Sequence, residues 1–204
     1  EAIVRDTLFT LSEALFAMQE RGAFDDHEMI FVSDGSTQTA KYLYNDFDEP
    51  IGMVVTSESG TLATYYYLKN AQGDITGIVN ENGEVLLTYS YTAWGEITYS
   101  ATSMQNMLLA VTLSKVNPFT YRGYCYDYDI GMYYLQSRYY DPQICRFINA
   151  DSTDYLGATG TLLSCNLFAY CENDPVNFVD ETGTSIEIVN EKNKTKYIRK
   201  AFGL

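Results

Sequence analysis

Residues 131–152 read GMYYLQSRYYDPQICRFINADS and concentrate the side chains of this chain that could do chemistry. Tyr133, Tyr134, Tyr139 and Tyr140 share this short stretch with Arg138, Arg146, Asp141 and Asp151. A planar guanidinium makes paired hydrogen bonds with a carboxylate. Arg138 and Arg146 are therefore expected to bridge strands through carboxylates such as Asp127 or Asp141. The tyrosines alternate or pair as strand residues do, with rings turned to adjacent hairpins. On this reading most of the stretch is wall rather than active site.

Other chemistries have less to stand on. Cys125, Cys145, Cys165 and Cys171 include no CxxC pair, and His27 is the single histidine, so no zinc site is expected. Buried free thiols are the expected state, and disulfides remain open if the chain is exported. One histidine does not support a Ser/His/Asp or Cys/His site. There is no phosphate-binding P-loop and no nucleophile elbow. No cofactor and no metal are expected.

The elements around these residues come from composition and pattern. The 204 residues suffice for one domain, and with 46% apolar and 20% charged residues the chain can bury a core. The 19 tyrosines outnumber the 13 lysines and arginines, and with 14 glycines they lean towards β-structure. The net charge of −14 and pI near 4.3 repel phosphate backbones, so nucleic acid is not an expected partner. No run approaches the roughly 18 apolar residues of a membrane span. The chain starts at Glu1, which reads as part of something longer, so the lack of a signal peptide says nothing of export.

Residues 6–21 have Leu8, Leu11, Leu15 and Met18 on one helical face, with Asp6 or Thr7 to cap the start and Gly22 after the end. From about residue 29, short alternating segments are separated by turn residues, each reading as strand, turn, strand. Asp34-Gly35 and Asn82-Gly83 are the strongest turn signals and predict type I′ hairpins. An internal repeat relates Tyr65, Tyr67 and Gly73-Asp74-Ile75 to Tyr89, Tyr91 and Gly95-Glu96-Ile97. YLYNDFDEPIG is a looser copy. Such units bury their faces only against neighbours. Residues 101–116 are expected to be a loop or short helix. The composition changes after Gly183, where Lys192, Lys194, Lys196, Arg199 and Lys200 cluster.

NPFTYRGYCYDYDIGMYYLQSRYYDPQICRFINADS and NLFAYCENDPVNFVDETG together resemble the Rhs repeat-associated core domain. YYYLKNAQGDITGIVNENGEVLLTYSYTAWGEI resembles the tyrosine-aspartate (YD) repeats that precede that core. The likeness covers residues 40–183. It implies a mainly β fold of antiparallel hairpin repeats winding into a hollow shell, with the core domain closing it. The expected organisation is a lead-in with a helix over 1–35, YD-type hairpins over 36–100, the core over 101–183 and a variable tail over 184–204. An unpaired sheet edge is expected near residues 40–67, where a spiral cut to its last turns would invite association.

The resemblance implies a structural module at the C-terminal end of a shell that encloses or presents a variable effector, as in polymorphic toxin systems. Its partners would be the upstream YD-repeat shell of the same polypeptide and the C-terminal segment, and its place secreted or cell-surface. The tail over 184–204 is too short to fold alone as a toxin. A rival reading is an aspartyl autoprotease that frees this tail, needing two carboxylates that share a proton. Asp151 matches a catalytic aspartate of cleaving relatives, Arg146 lies in its motif, and Asp154 and Asp174 are candidates for the second acid. The cut would fall at Gly183 or Thr184. Glu181 and Thr184 stand where cleaving relatives have Pro and Leu, Ser152 where many have Pro, and Cys145 where Gly is usual, so the chain is expected to stay intact. A third reading is an extracellular binding module whose tyrosine-rich sheet stacks on cell-surface glycans.

Overall fold

The structure, a computed structural model, describes residues 28–189 except Asp34, Gly35, Phe47, Asp48, Thr61, Ala158, Thr159 and Thr161. The expected helix over 6–21, His27 and the Asp34-Gly35 turn lie outside the described residues.

Seven strands succeed one another: β1 (Glu28–Ser33), β2 (Ser36–Tyr44), β3 (Pro50–Ser57), β4 (Leu62–Lys69), β5 (Ile75–Asn80), β6 (Val85–Tyr91) and β7 (Ile97–Ala101). They pair in chain order, each antiparallel to the next. The period-2 pattern sets the faces. Tyr65, Tyr67, Leu87 and Tyr89 are buried on one side, while Tyr66, Leu68, Thr88 and Ser90 are exposed on the other. The helix α1 (Met107–Val116) covers the inner face with Ala110, Leu113 and Val116. Tyr42 donates its hydroxyl to the Val116 carbonyl at 2.7 Å, satisfying a helix-end acceptor from inside the core.

The repeated turns share one device. Asn70 Oδ1 accepts the N–H groups of Gln72 (2.9 Å) and Asp74 (3.0 Å). Asn80 Oδ1 does the same for Asn82 (3.0 Å) and Glu84 (2.9 Å). At the third turn Thr92 Oγ1 accepts from Glu96 N–H at 3.1 Å. Gly73, Gly83 and Gly95 take the left-handed φ values of 89°, 79° and 89° that each turn needs. The type I′ turn expected at Asn82-Gly83 does not form, because Gly83 alone of that pair has positive φ. Asn80, two residues earlier, closes the turn with its side chain instead.

The sheet edge also differs from expectation. Residues 40–67 fall in β2, β3 and β4 and their connections, strands that are paired on both sides, and among the described residues the edges are β1 and β7. The hairpin of β1 and β2 extends the sheet one strand beyond the segment resembling YD repeats.

A second sheet has the order β11–β10–β9–β8, from β8 (Cys125–Asp127), β9 (Met132–Tyr134), β10 (Tyr139–Asp141) and β11 (Arg146–Phe147). Tyr133 pairs with Tyr140 across β9 and β10, and both are fully buried against Phe147 and Tyr170. Three hydroxyls from this core close on one turn of the first sheet. Tyr121 donates to Ala93 O (2.8 Å), Tyr140 to Trp94 O (2.7 Å) and Tyr133 to Gly95 O (2.7 Å). A second joint is the buried pair Arg122 and Asp74, where Arg122 N–H donates to Asp74 Oδ1 at 2.8 Å. Among the described residues neither Arg138 nor Arg146 forms the expected bridge to Asp127 or Asp141. Asp127 caps its own turn through Asp129 N–H at 2.9 Å, and Arg138 turns to other carboxylates. All four cysteines are unpaired, with Cys171 buried and Cys165 exposed. The short strands β12 (Phe178–Val179) and β13 (Glu187–Ile188) form a separate pair.

Candidate functional site

Arg138 lies immediately before β10, after a tight reversal in which Gln136 has a left-handed φ of 62°. Its guanidinium covers the Phe147 ring at 3.6 Å, so the planar cation is packed on one face and buried. Its edge makes four polar contacts. Nη2 is 2.9 Å from Asp151 Oδ2 and 3.4 Å from Asp180 Oδ2. Nη1 donates to Leu167 O at 2.9 Å, and Nε donates to the Gly183 carbonyl. One cation thus holds two carboxylates, leaving the cluster one negative charge in excess when both are ionised.

Asp180 carries the C-terminal side of this arrangement. Its Oδ1 accepts the N–H groups of Thr184 at 3.1 Å and Ser185 at 3.2 Å. Ser137 Oγ donates to Thr182 O at 2.6 Å. Gly183 has a φ of 73°, and a Cβ there would meet Ser137 Oγ at 2.6 Å and Leu135 O at 2.7 Å. Only glycine passes this close to the β9–β10 reversal. The Gly183–Thr184 peptide is therefore gripped at both ends, its carbonyl by Arg138 and its N–H by Asp180. A cation on the carbonyl draws electron density from its carbon, and an acid beside the nitrogen can serve a leaving amine.

Burial pushes the Asp180 carboxyl from its ordinary value of 3.8 up to about 6. Arg138 and the backbone N–H groups pull it down, and Asp151 pushes it further up. Burial also raises Asp151, against the pull of Arg138 and of its own bond from Ser152 N–H. A carboxyl whose folded pKa is raised binds its proton more tightly in the folded state, so its contribution to stability is complete below about pH 3.8 and is lost as pH rises through about 6. Relative to wild type, Asp180→Asn is expected to remove a pH-dependent contribution on the order of 3 kcal/mol between pH 4 and 7.5. Urea unfolding of both proteins across that range checks this; parallel stability curves would refute it.

The fold separates the residues singled out from the sequence. Asp151, Gly183 and Thr184 converge on Arg138 and Asp180. Arg146 is exposed, opposite Asp141 in the β10–β11 register and bridged to Ala169. Asp154 is exposed near Ser152, and Asp174 holds Asn177 through its carboxylate at 2.9 Å. Sequence reasoning passed over Arg138 as a partner of Asp151 and Asp180 as the carboxylate that shares that cation. The first residue of the DETGT motif was the available signal. Among the described residues no group of His, Cys, Asp and Glu could hold a metal ion, and no helix is long and apolar enough to cross a membrane.

Comparison with known proteins gives a family and a set of long relatives. Residues 32–176 match the Teneurin YD-shell family. The tRNA3(Ser)-specific nuclease WapA of Bacillus spizizenii is 32% identical over 166 residues, which cover 81% of this chain and 6% of that protein. The double-stranded DNA deaminase toxin A of Burkholderia cenocepacia is 30% identical over 131 residues, covering 64% of this chain and 8% of that protein. Among solved structures, a chain of the TcdB2-TccC3-Cdc42 crystal structure superposes with a TM-score of 0.52 at 20% identity, over 78% of this chain and 8% of that one. The chain thus spans only a small part of the length of each.

Proposed function

The chain belongs to the Teneurin YD-shell family, and on that premise we propose that it forms the C-terminal end of a secreted shell enclosing a variable C-terminal effector. The observation that carries this reading is the join between the two sheets. Tyr121, Tyr133 and Tyr140 fasten the core to one hairpin turn, which closes the end of a sheet whose order can continue beyond β1. The two long relatives are named as a nuclease and a deaminase toxin, activities this reading assigns to segments outside the matched region. The test is electron microscopy and protease digestion of the complete polypeptide containing this chain. A closed hollow particle with a protected C-terminal segment is expected. An open particle whose C-terminal segment is digested as fast as in urea would refute the reading.

One observation favours a second reading, an aspartyl autoprotease: the Gly183–Thr184 peptide is gripped between Arg138 and Asp180, with Asp151 beside them. Against turnover, the same contacts stabilise the uncut ground state, and tight ground-state binding does not accelerate a step. The purified chain is expected to keep a single intact mass over days at pH 5–7, unchanged by Asp151→Asn. A fragment ending at residue 183 or 184, absent in Asp151→Asn, would establish the protease reading instead.

A further inference from the structure

Past Gly183 the chain does not leave the core. It runs back along it, held mainly through main-chain atoms of the segment, with a side-chain bond between the Thr184 and Thr182 hydroxyls at 3.0 Å beside them. Asp180 takes the N–H groups of Thr184 and Ser185. β13 then pairs antiparallel with β12, Glu187 opposite Val179 and Ile188 opposite Phe178. Val189 N–H donates to Asn177 O at 2.8 Å.

The receiving side is fixed before the segment arrives. Asn177 is held by both oxygens of Asp174, at 3.1 Å and 2.9 Å, and its own N–H donates to Asp174 Oδ1. Phe178 and Val179 pack against the tyrosine core. Asp180 is buried, with its N–H donating to the Tyr124 hydroxyl at 3.2 Å. The segment's side chains contribute less. Ile188 is exposed, Thr184, Ser185, Ile186 and Val189 are half-buried, and Glu187 alone is buried.

We propose that Asn177–Asp180 is a strand-type seat for any peptide placed after Gly183, binding it by main-chain hydrogen bonds with little regard to sequence. Adding a strand to an exposed edge is a general mode of peptide recognition, in which main-chain bonds give affinity and side-chain pockets give specificity. Here the bonds are present and the pockets are nearly absent. Such a seat suits a C-terminal segment that varies. It also holds residues 184–189 independently of the Gly183–Thr184 bond, so cutting that bond would leave the segment seated. The inference rests on the reading of the chain as the end of a shell.

Hydrogen exchange on the full chain, read by mass spectrometry, tests it. Residues 184–189 are expected to exchange at least about 10-fold slower than an unstructured peptide of the same sequence. Ser185→Ala, Ile188→Ala and Val189→Ala keep every main-chain donor and are expected to change this by less than about 2-fold. Ser185→Pro and Val189→Pro delete a donor and are expected to speed exchange of the segment about 10-fold. Peptides covering Tyr133–Tyr140 report whether a variant has unfolded, and they are expected to stay protected throughout. Exchange of 184–189 at the unstructured rate would overturn the proposal. So would alanine variants as damaging as the proline ones, which would make the seat side-chain specific. Either result would leave the shell reading standing if the complete polypeptide still protects its C-terminal segment from protease.

Discussion

Arg138→Ala is expected to cost the core about 3–5 kcal/mol, the range for removing one partner of a buried ion pair. The loss exceeds a simple deletion because, among the described residues, no other cation pairs with Asp151 or Asp180. Without it, Asp151 and the buried Asp180 face each other with no cation, and the carbonyls of Leu167 and Gly183 lose their donor. The Phe147 ring also loses the guanidinium packed over it. Arg138→Met with Asp151→Asn and Asp180→Asn is expected to recover part of the loss, since no uncompensated charge remains buried. Urea unfolding at pH 7 measures both. A change below about 1 kcal/mol in the single variant would class these contacts with ordinary surface pairs.

A comparable loss is expected at Tyr133, with a graded series that separates ring from hydroxyl. Tyr133→Ala removes a fully buried ring that touches Tyr121, Tyr124, Tyr126 and Tyr140, and is expected to cost about 3–5 kcal/mol. Tyr133→Phe keeps the ring and leaves the Gly95 carbonyl without its donor, for about 1–3 kcal/mol. Tyr66→Ala, on the exposed face of β4, is expected to stay within about 1 kcal/mol of wild type. Thermal or urea unfolding of the three variants gives the ranking. If Tyr66→Ala were as damaging as Tyr133→Ala, the assignment of inner and outer faces would be wrong.

The hairpins were readable because their determinants are local. Alternation in TYYYLK and VLLTYSY sets which side is buried, and the glycines mark the turns. The turn type was not readable from Asn82-Gly83 alone. A side chain two residues upstream, Asn80, competes for the same N–H groups and wins. The candidate site was half legible. Asp151 stood out through resemblance, but its cation is 13 residues back and the other carboxylate lies 42 residues beyond that cation. No periodicity links such positions; only the docking of the core brings them together. Arg138 and Arg146 look equivalent in sequence, yet one is buried on Phe147 and the other points outward from a two-residue strand.

The strict chain order of the first sheet bears on how the protein is made. Each strand from β2 to β7 finds its partner in the segment just synthesised, so loop closure is short at every step and the cost of ordering is met one hairpin at a time. The second sheet also pairs in chain order, but its docking onto the first is not local. Tyr121, Tyr133 and Tyr140 reach back 28 to 46 residues to the turn at Ala93–Gly95, and Asp180 reaches back 42 to Arg138. A ribosome delivers the chain from its N-terminus, and domains generally fold in that direction. The sheet is therefore standing when the core arrives, the core closes when Asp180 emerges, and residues 184–189 are threaded onto a finished surface. Any segment C-terminal to them is the last to be made.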